Sequence, residues 1–340
     1  MKLAIVTIQS INYGNRLQNY ALQQVLKPYG QVRSLRREKV SAFRLAARKM
    51  RKYIKRDKNN NFREFDATYI QLSSEVLSRD YETSGIAGSY DKFVIGSDQV
   101  WNPNFPFNGA MDYLPMVPPE KKLAYAASFG VADLGDKRGE IAGYLADIPY
   151  ISMREDAGAA LVKQLAGRDV PVVLDPTMLL TRTDWACVSK RPKGMPEGPF
   201  LFKYVLGNDV NNECIQAIAD GLGAVVVDAA NTPLLIGPSE FVWLVANCEA
   251  VCTDSFHASV FALLHHKPLG IFERVDAEVD MSSRFDTLCR LFDAEKCRAR
   301  NQDFDMTCMD WNAFEDQLAE MRAFSQNWLD SAIKGESIHG

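Results

Sequence analysis

The sequence predicts a parallel α/β fold of two domains sharing a cleft. Three observations predict it. The chain has 340 residues, longer than a single hydrophobic core usually serves. Short apolar runs alternate with helical patterns, as expected of parallel sheets covered on both faces. A polar, proline-bearing stretch from Lys190 to Gly198 separates one such series from a second.

In the first series, strands are expected at Lys2 to Ile8, Phe93 to Ser97, Leu123 to Phe129, Tyr150 to Met153 and Val170 to Leu174, with a helix at Leu17 to Leu26. The second series places strands at Phe200 to Leu206, Ala224 to Asp228, Ala250 to Thr253 and Leu269 to Phe272. Helices at Val210 to Leu222, Ser239 to Cys248 and Phe256 to His265 lie between and after them. The boundary falls near residues 168 to 198, giving domains 1–180 and 181–340, with a final helix from Trp311 to Ile333 expected to pack back on the first.

Composition narrows the class. With 47% hydrophobic and 24% charged residues the chain is an ordinary globular protein. The apolar run at the N-terminus is too short for a signal peptide or a membrane span, so a cytoplasmic location is expected. Seven cysteines, mostly in apolar stretches, suit reduced thiols better than a disulfide framework. Cys248 and Cys252 in particular sit in apolar context, which argues against sulfur or redox chemistry there. A net charge of −4 gives no reason to expect nucleic acid as a partner.

One segment departs from that balance. Between Arg33 and Arg63 thirteen Lys or Arg face only Glu38, Asp57 and, at the edge, Glu64. Val40, Phe43, Ala46, Met50, Tyr53 and Ile54 recur there at helical spacing, which reads as a basic amphipathic helix over about 39–58. Such a helix either packs its apolar stripe on its own domain or rests against an anionic membrane.

Ligands of open parallel sheets sit beyond the carboxyl ends of the strands. Three such ends carry unusual residues. After the first strand, Gly14 and Asn15 suggest a tight turn over the next helix, although an ordinary turn explains them equally. G-x-G-x-x-G and the Walker pattern are both absent, so dinucleotide and P-loop chemistry lack support. After Phe93 to Ile95, Asp98, Trp101 and Asn102 supply a carboxylate, an indole and an amide, the groups that sugar sites use. The alternative is a packed loop with Trp101 buried. After Tyr150 to Met153, Arg154 suits capture of a carboxylate or phosphate, unless Glu155 or Asp156 neutralises it as a structural pair.

The second half is more informative. At Thr253-Asp254-Ser255-Phe256-His257 a buried strand ends and a helix begins, with Asp254 or Ser255 available as its cap. His257 then falls in the first turn beside free backbone N–H groups, where an anion would be held. The helix dipole and a neighbouring Asp254 act in opposite senses on its protonation. His265 and His266 lie at the end of the same helix, and no further ligands accompany them, so no metal site is expected.

Taken in order, these residues resemble a known family. Asn12 to Asn15 with Gln18 and Tyr20-Ala21-Leu22-Gln23, GSDQVWNP from Gly96, YAASFG from Tyr125, SMRED from Ser152, LDPT from Leu174 and TDSFHAS from Thr253 are similar to the motif series of the polysaccharide pyruvyl transferases. The likeness runs from about residue 5 to 295. It implies a GT-B-like α/β fold of two Rossmann-type domains whose parallel sheets face a central cleft, phosphoenolpyruvate as donor, a carbohydrate acceptor that is free or lipid-linked, and no cofactor. It also maps the family's histidine to His257 and its arginine to Arg154. Ala258 stands where the family usually has Gly, and the basic helix reads as an insertion.

The implied reaction needs a proton at C3 of the donor, attack at C2 by one sugar hydroxyl, departure of phosphate and attack by a second hydroxyl. His257 is the expected proton-transfer group. Arg154, the helix start at Ser255 and Phe256, and Arg284 are the expected anion contacts. The first domain is expected to take the acceptor and the second the donor, with the basic helix touching the inner membrane face. A nucleotide-sugar glycosyltransferase would share the fold and would need a ribose-binding carboxylate such as Asp228 or Glu240. A non-catalytic carbohydrate-binding protein would lose nothing on replacement of His257.

Overall fold

Leu3 to Val6 are almost without exposure and lie at the centre of a six-stranded sheet, because their run is apolar on both faces and the sheet is covered on both. In the computed structural model this first strand is β1 (Lys2–Val6), followed by α1 (Tyr13–Leu26), β2 (Gln31–Arg37), α2 (Lys55–Tyr69), β3 (Leu72–Leu77) and β4 (Lys92–Asp98). Next come β5 (Lys122–Ala127), α3 (Arg138–Ala146), β6 (Tyr150–Met153), α4 (Asp156–Ala166) and α5 (Pro176–Leu179). The structure describes residues 1–37, 55–77, 85–106, 108–207, 211–274 and 282–336. The strands run parallel in the order β3-β2-β1-β4-β5-β6, with Ile5 opposite both Ser34 and Val94.

A second sheet has four parallel strands in the order β10-β9-β7-β8. Its elements are α6 (Arg182–Ala186), β7 (Phe200–Tyr204), α7 (Asn212–Gly221), β8 (Val225–Asp228), α8 (Pro238–Asn247), β9 (Ala250–Thr253), α9 (Phe256–Leu264), β10 (Leu269–Ile271), α10 (Ser283–Phe292) and α11 (Trp311–Lys334). Every residue of α9 is buried, as expected of a helix that is apolar all round. Local signals set the boundaries: Thr181 and Asp184 close a capping box on α6, and α8 has Pro238 at its first position with Glu240 accepting from the Gly237 N–H at 2.9 Å.

The chain divides into two compact units, Met1–Tyr53 with Asp66–Leu179 and Glu320–Gly340, and Ile54–Phe65 with Leu180–Ala319. The expected continuous ranges 1–180 and 181–340 differ from this in two segments. Asn61 donates to the Leu235 carbonyl at 2.8 Å and Glu64 pairs with Lys190 at 2.8 Å, which ties the first part of α2 into the second unit. The later part of α11 belongs to the first unit, where the Ser325 hydroxyl accepts from the Leu174 N–H at 3.0 Å and Arg322 donates to the Met178 carbonyl at 2.6 Å.

Three element readings are corrected. Strands β2 and β3 carry Arg33, Arg36, Arg37, Ser73, Ser74 and Glu75, so their polarity hid them among the basic residues that follow. The strand expected at Val170 to Leu174 makes only a single bridge, Val172 with Met153, because Pro171 has no N–H to donate and Asp175 and Pro176 open a helix at once. Helix α1 begins at Tyr13, four residues before the expected start, because the Asn12 side chain accepts from the Asn15 N–H at 3.4 Å. The basic helix expected over 39–58 lies outside the described residues up to position 54, and from Lys55 the backbone is the start of α2. Among the described residues no helix is long and apolar enough to cross a membrane.

The core of the second unit centres on Phe241, which is fully buried against Phe202, Tyr204 and Phe261 with edge-to-face rings 5.5 to 5.8 Å apart. Phe241→Ala should therefore destabilise the protein by about 3 to 5 kcal/mol, read as a lowered urea midpoint for the second unit's transition.

Candidate functional site

In the first unit the order of strands reverses between β1 and β4, so the loops after these two strands diverge and leave a crevice at their carboxyl ends. Asn15 follows β1 and Asp98 ends β4, and the two meet there: the Asn15 amide donates to Asp98 Oδ2, while the Ser10 hydroxyl donates to Asn15 Oδ1. Gln18 joins them by donating to the Thr7 hydroxyl at 2.8 Å and accepting from the Ser97 N–H at 3.3 Å. Asp98 has φ 69°, a left-handed conformation that Asp tolerates better than most side chains.

Arg154 closes this group. Its guanidinium donates to Asp98 Oδ1 at 3.2 Å and to Asp175 Oδ2 at 3.0 Å, and Glu155 lies 3.7 Å away. All four side chains are buried. Burial acts to lower the arginine's pKa, but the charges of Asp98, Asp175 and Glu155 prevail and hold it above the ordinary value. Arg154, expected as an anion contact unless paired structurally, is here paired with three carboxylates and its side chain is 1% exposed, with Asp98 and Asp175 as its nearest partners. Asp175, in the LDPT motif, had no role assigned from sequence. It also accepts from the Ser97 hydroxyl and from the N–H and hydroxyl of Thr177.

The loop after Asp98 packs on itself. Trp101 is 1% exposed, stacks on Tyr113 at 5.2 Å and donates its indole N–H to the Asp112 carbonyl at 3.3 Å. Asn102 donates to Gln99 Oε1 at 2.7 Å and accepts from the Asn104 N–H at 2.9 Å. Trp101 is thus buried in its loop and Asn102 spends its amide there, the arrangement of the packed-loop alternative. Two glycines of the motifs are explained by close approach: a Cβ on Gly96 would meet the Tyr125 carbonyl oxygen at 2.1 Å, and one on Gly130 would meet Gln99 Oε1 at 2.0 Å. Gly14 lies within α1 and not in a turn, because Asn12 caps the helix before it.

In the second unit the strand order reverses between β7 and β9, and the same geometry follows. The Asp254 carboxylate, at the end of β9, accepts from the Leu206 and Gly207 N–H groups beyond β7, each at 2.8 Å. Arg274 donates to Asp254 Oδ2 at 3.0 Å and to its carbonyl at 3.3 Å. Asp254 is thus a brace across the crevice. Ser255 stands at the cap position of α9 without a side-chain capping bond. Arg274 is twenty residues from Asp254 in sequence, and no local pattern marks it.

Phe256, His257 and Arg284 gather at this helix start. The Arg284 guanidinium lies 5.8 Å from the centre of the Phe256 ring, and the His257 ring meets the same ring edge to face at 5.4 Å. His257 is 6% exposed and Arg284 7%. A histidine, an arginine and the first turn of a nine-residue helix thus stand together beyond the carboxyl end of β9. Each carboxylate offered for a ribose has partners of its own: Asp228 pairs with Lys203 at 3.2 Å and accepts from Ala230 and Asn231, and Glu240 caps α8.

The family model described as polysaccharide pyruvyl transferase matches residues 12–274. No curated protein sequence matches the chain. Solved structures similar to it include the UDP-GlcNAc 2-epimerase of Methanocaldococcus jannaschii, with 11% identity, a TM-score of 0.48 and coverage of 84% of this chain and 87% of that one. MurG of Acinetobacter baumannii is also 11% identical, with a TM-score of 0.42 and coverage of 99% and 95%. The ADP-heptose lipopolysaccharide heptosyltransferase II of E. coli has 11% identity, a TM-score of 0.37 and coverage of 96% and 100%.

Removing Arg154 leaves buried carboxylates facing one another, so Arg154→Ala should lower stability by about 3 to 5 kcal/mol, measured as a shift of the first unit's urea transition. His265, at the end of α9, gives a pH test. Burial first, and then the charges of Lys267, Arg182 and His266, lower its pKa from 6.5 to about 4. An unfolded chain takes up this proton near 6.5 while the folded protein resists until about 4. The contribution is complete above the unfolded value and is lost as the pH falls through that window. His265→Phe, which keeps a ring beside Phe261, should remove on the order of 2 to 3 kcal/mol of acid-induced destabilisation. Denaturant midpoints of the two proteins between pH 7 and 4 measure the difference.

Proposed function

The chain belongs to the polysaccharide pyruvyl transferase family, and on that premise we propose that it moves the enolpyruvyl unit of phosphoenolpyruvate onto two hydroxyls of a surface glycan or its lipid-linked precursor, forming a pyruvate ketal and releasing phosphate. The observation that carries this reading is the gathering of Phe256, His257 and Arg284 at the start of α9, beyond the carboxyl end of β9.

The chemistry follows from the donor. Protonation of its C3 makes C2 electrophilic, one sugar hydroxyl adds there, phosphate leaves with its bonding electrons, and a second hydroxyl closes the ketal. His257 supplies the proton to C3 in this proposal. Arg284 and the first turn of α9, with Ser255 and Phe256 at its head, hold the donor's carboxylate and phosphate in this proposal, where negative charge grows as the phosphate departs. The brace of Asp254 with Leu206, Gly207 and Arg274 keeps this helix start in place. No redox group or metal enters any step.

The acceptor is assigned to the first unit, at the carboxyl ends of β1 and β4 where Asn15 and Asp98 meet. Cytoplasmic work on a lipid-linked acceptor would place the enzyme at the inner membrane face. The basic residues of 39–58 would favour such a surface by on the order of 1 kcal/mol each.

The test uses the full chain with phosphoenolpyruvate and a panel of free and lipid-linked glycans, following phosphate release together with product mass. Ketal products are expected with wild type. His257→Ala should lower turnover by about 10² to 10⁴-fold with an unchanged thermal midpoint. Phosphate release near the wild-type rate from that variant would remove His257 from the mechanism.

A further inference from the structure

Cys297 and Cys308 lie eleven residues apart, yet their sulfur atoms are 3.4 Å from each other. The fold brings them together. Cys297 ends a short 3₁₀ turn, Glu295–Cys297, and the segment after it is bonded to the edge of the second sheet, Ala299 N–H to the Ile271 carbonyl at 2.8 Å and Leu269 N–H to the Met306 carbonyl at 3.0 Å. The Asp305 N–H donates to the Lys296 carbonyl at 2.8 Å, which draws the two arms of the loop together beside the thiols. Phe304 packs its ring near Phe272, and Arg298 pairs with Asp286 on α10, so the loop is held from both sides.

We propose that Cys297 and Cys308 form a redox-active dithiol, a modification site at which a low-molecular-weight disulfide is reduced and an internal disulfide is made. A bond needs the sulfurs to approach from 3.4 Å to about 2.0 Å. The two thiols differ in access: Cys308 is half-buried and Cys297 is fully buried. Burial, and then the hydrogen bond and charge of Cys308, hold the Cys297 pKa above its ordinary value, so it is the poorer first nucleophile.

The order of events follows. The Cys308 thiolate attacks one sulfur of the small disulfide, that S–S bond breaks, and the first small thiolate leaves. Cys297 then gives up its proton to solvent, its sulfur attacks Cys308 Sγ, and the second small thiolate leaves. Two protein thiols are oxidised by two electrons, and one small disulfide becomes two small thiols. Excess small thiol reverses both steps.

The experiment takes the reduced, folded full-length chain, exposes it to oxidised glutathione, blocks the remaining thiols and maps peptides without reduction. A peptide pair joining Cys297 to Cys308 is expected, lighter by about 2 Da than the dithiol and returned to it by dithiothreitol. Cys297→Ser should instead accumulate a stable glutathione adduct at Cys308, and Cys308→Ser should leave Cys297 unmodified. Cys187 and Cys214, which are exposed, report whether the oxidant was active. Three results would overturn the proposal: a lasting glutathione adduct on wild-type Cys308, a bond from Cys297 to Cys289, or two free thiols after Cys187 and Cys214 have reacted. The first readout needs no variant, so a folding defect in either mutant leaves the question answerable.

Discussion

The guanidinium of Arg154 is the tie on which the carboxyl edge of the first sheet depends. It follows β6, reaches Asp98 at the end of β4 and Asp175 at the opening of α5, and carries a single positive charge among three carboxylates. A charge taken out of water is tolerated only when it is paired and hydrogen-bonded. Here each partner stabilises the position of the other. Asn15 and Gln18 on α1 extend the network to the loop after β1. Four separate stretches of chain thereby acquire one geometry, although none is close to the others in sequence.

The second unit solves a similar problem with a different charge pattern. There a buried carboxylate, Asp254, is compensated by two backbone N–H groups and by Arg274, and it bridges the ends of β7 and β9. Both networks occupy the place where the strand order reverses. Loops from the two flanking strands diverge at such points, so polar groups from both can face one crevice. The polar motifs of each half therefore sit at a site set by sheet topology, and their buried charges hold the loops that shape it.

Helix α9 carries the residue proposed as the proton donor. Its residues are buried on every side, so its N-terminus is placed by packing of the helix body and not by a capping side chain. Phe256 lies between His257 and Arg284, and an aromatic ring in that position excludes water while attracting the guanidinium to its face. This is the physical ground on which the family's chemistry is assigned to these residues.

The alternation of apolar runs was enough to read the fold class, most strands of both sheets and the helix that carries His257. Hydrophobic periodicity is a local property, and continuous apolar runs such as Leu3 to Val6 or Val251 to Thr253 leave few alternatives. Motif order was likewise local, and it pointed to the family. What the sequence could not settle was partnership. Arg154 looked available for a ligand because the carboxylates that neutralise it most closely stand 56 and 21 residues away. Trp101 looked like a sugar platform because nothing nearby in sequence announces the stacking of Tyr113. The polar strands β2 and β3, the brace from Arg274 and the meeting of Cys297 with Cys308 are of the same kind. Burial and charge compensation depend on which groups the folded chain brings within a few ångströms, and that distance is decided by tertiary packing.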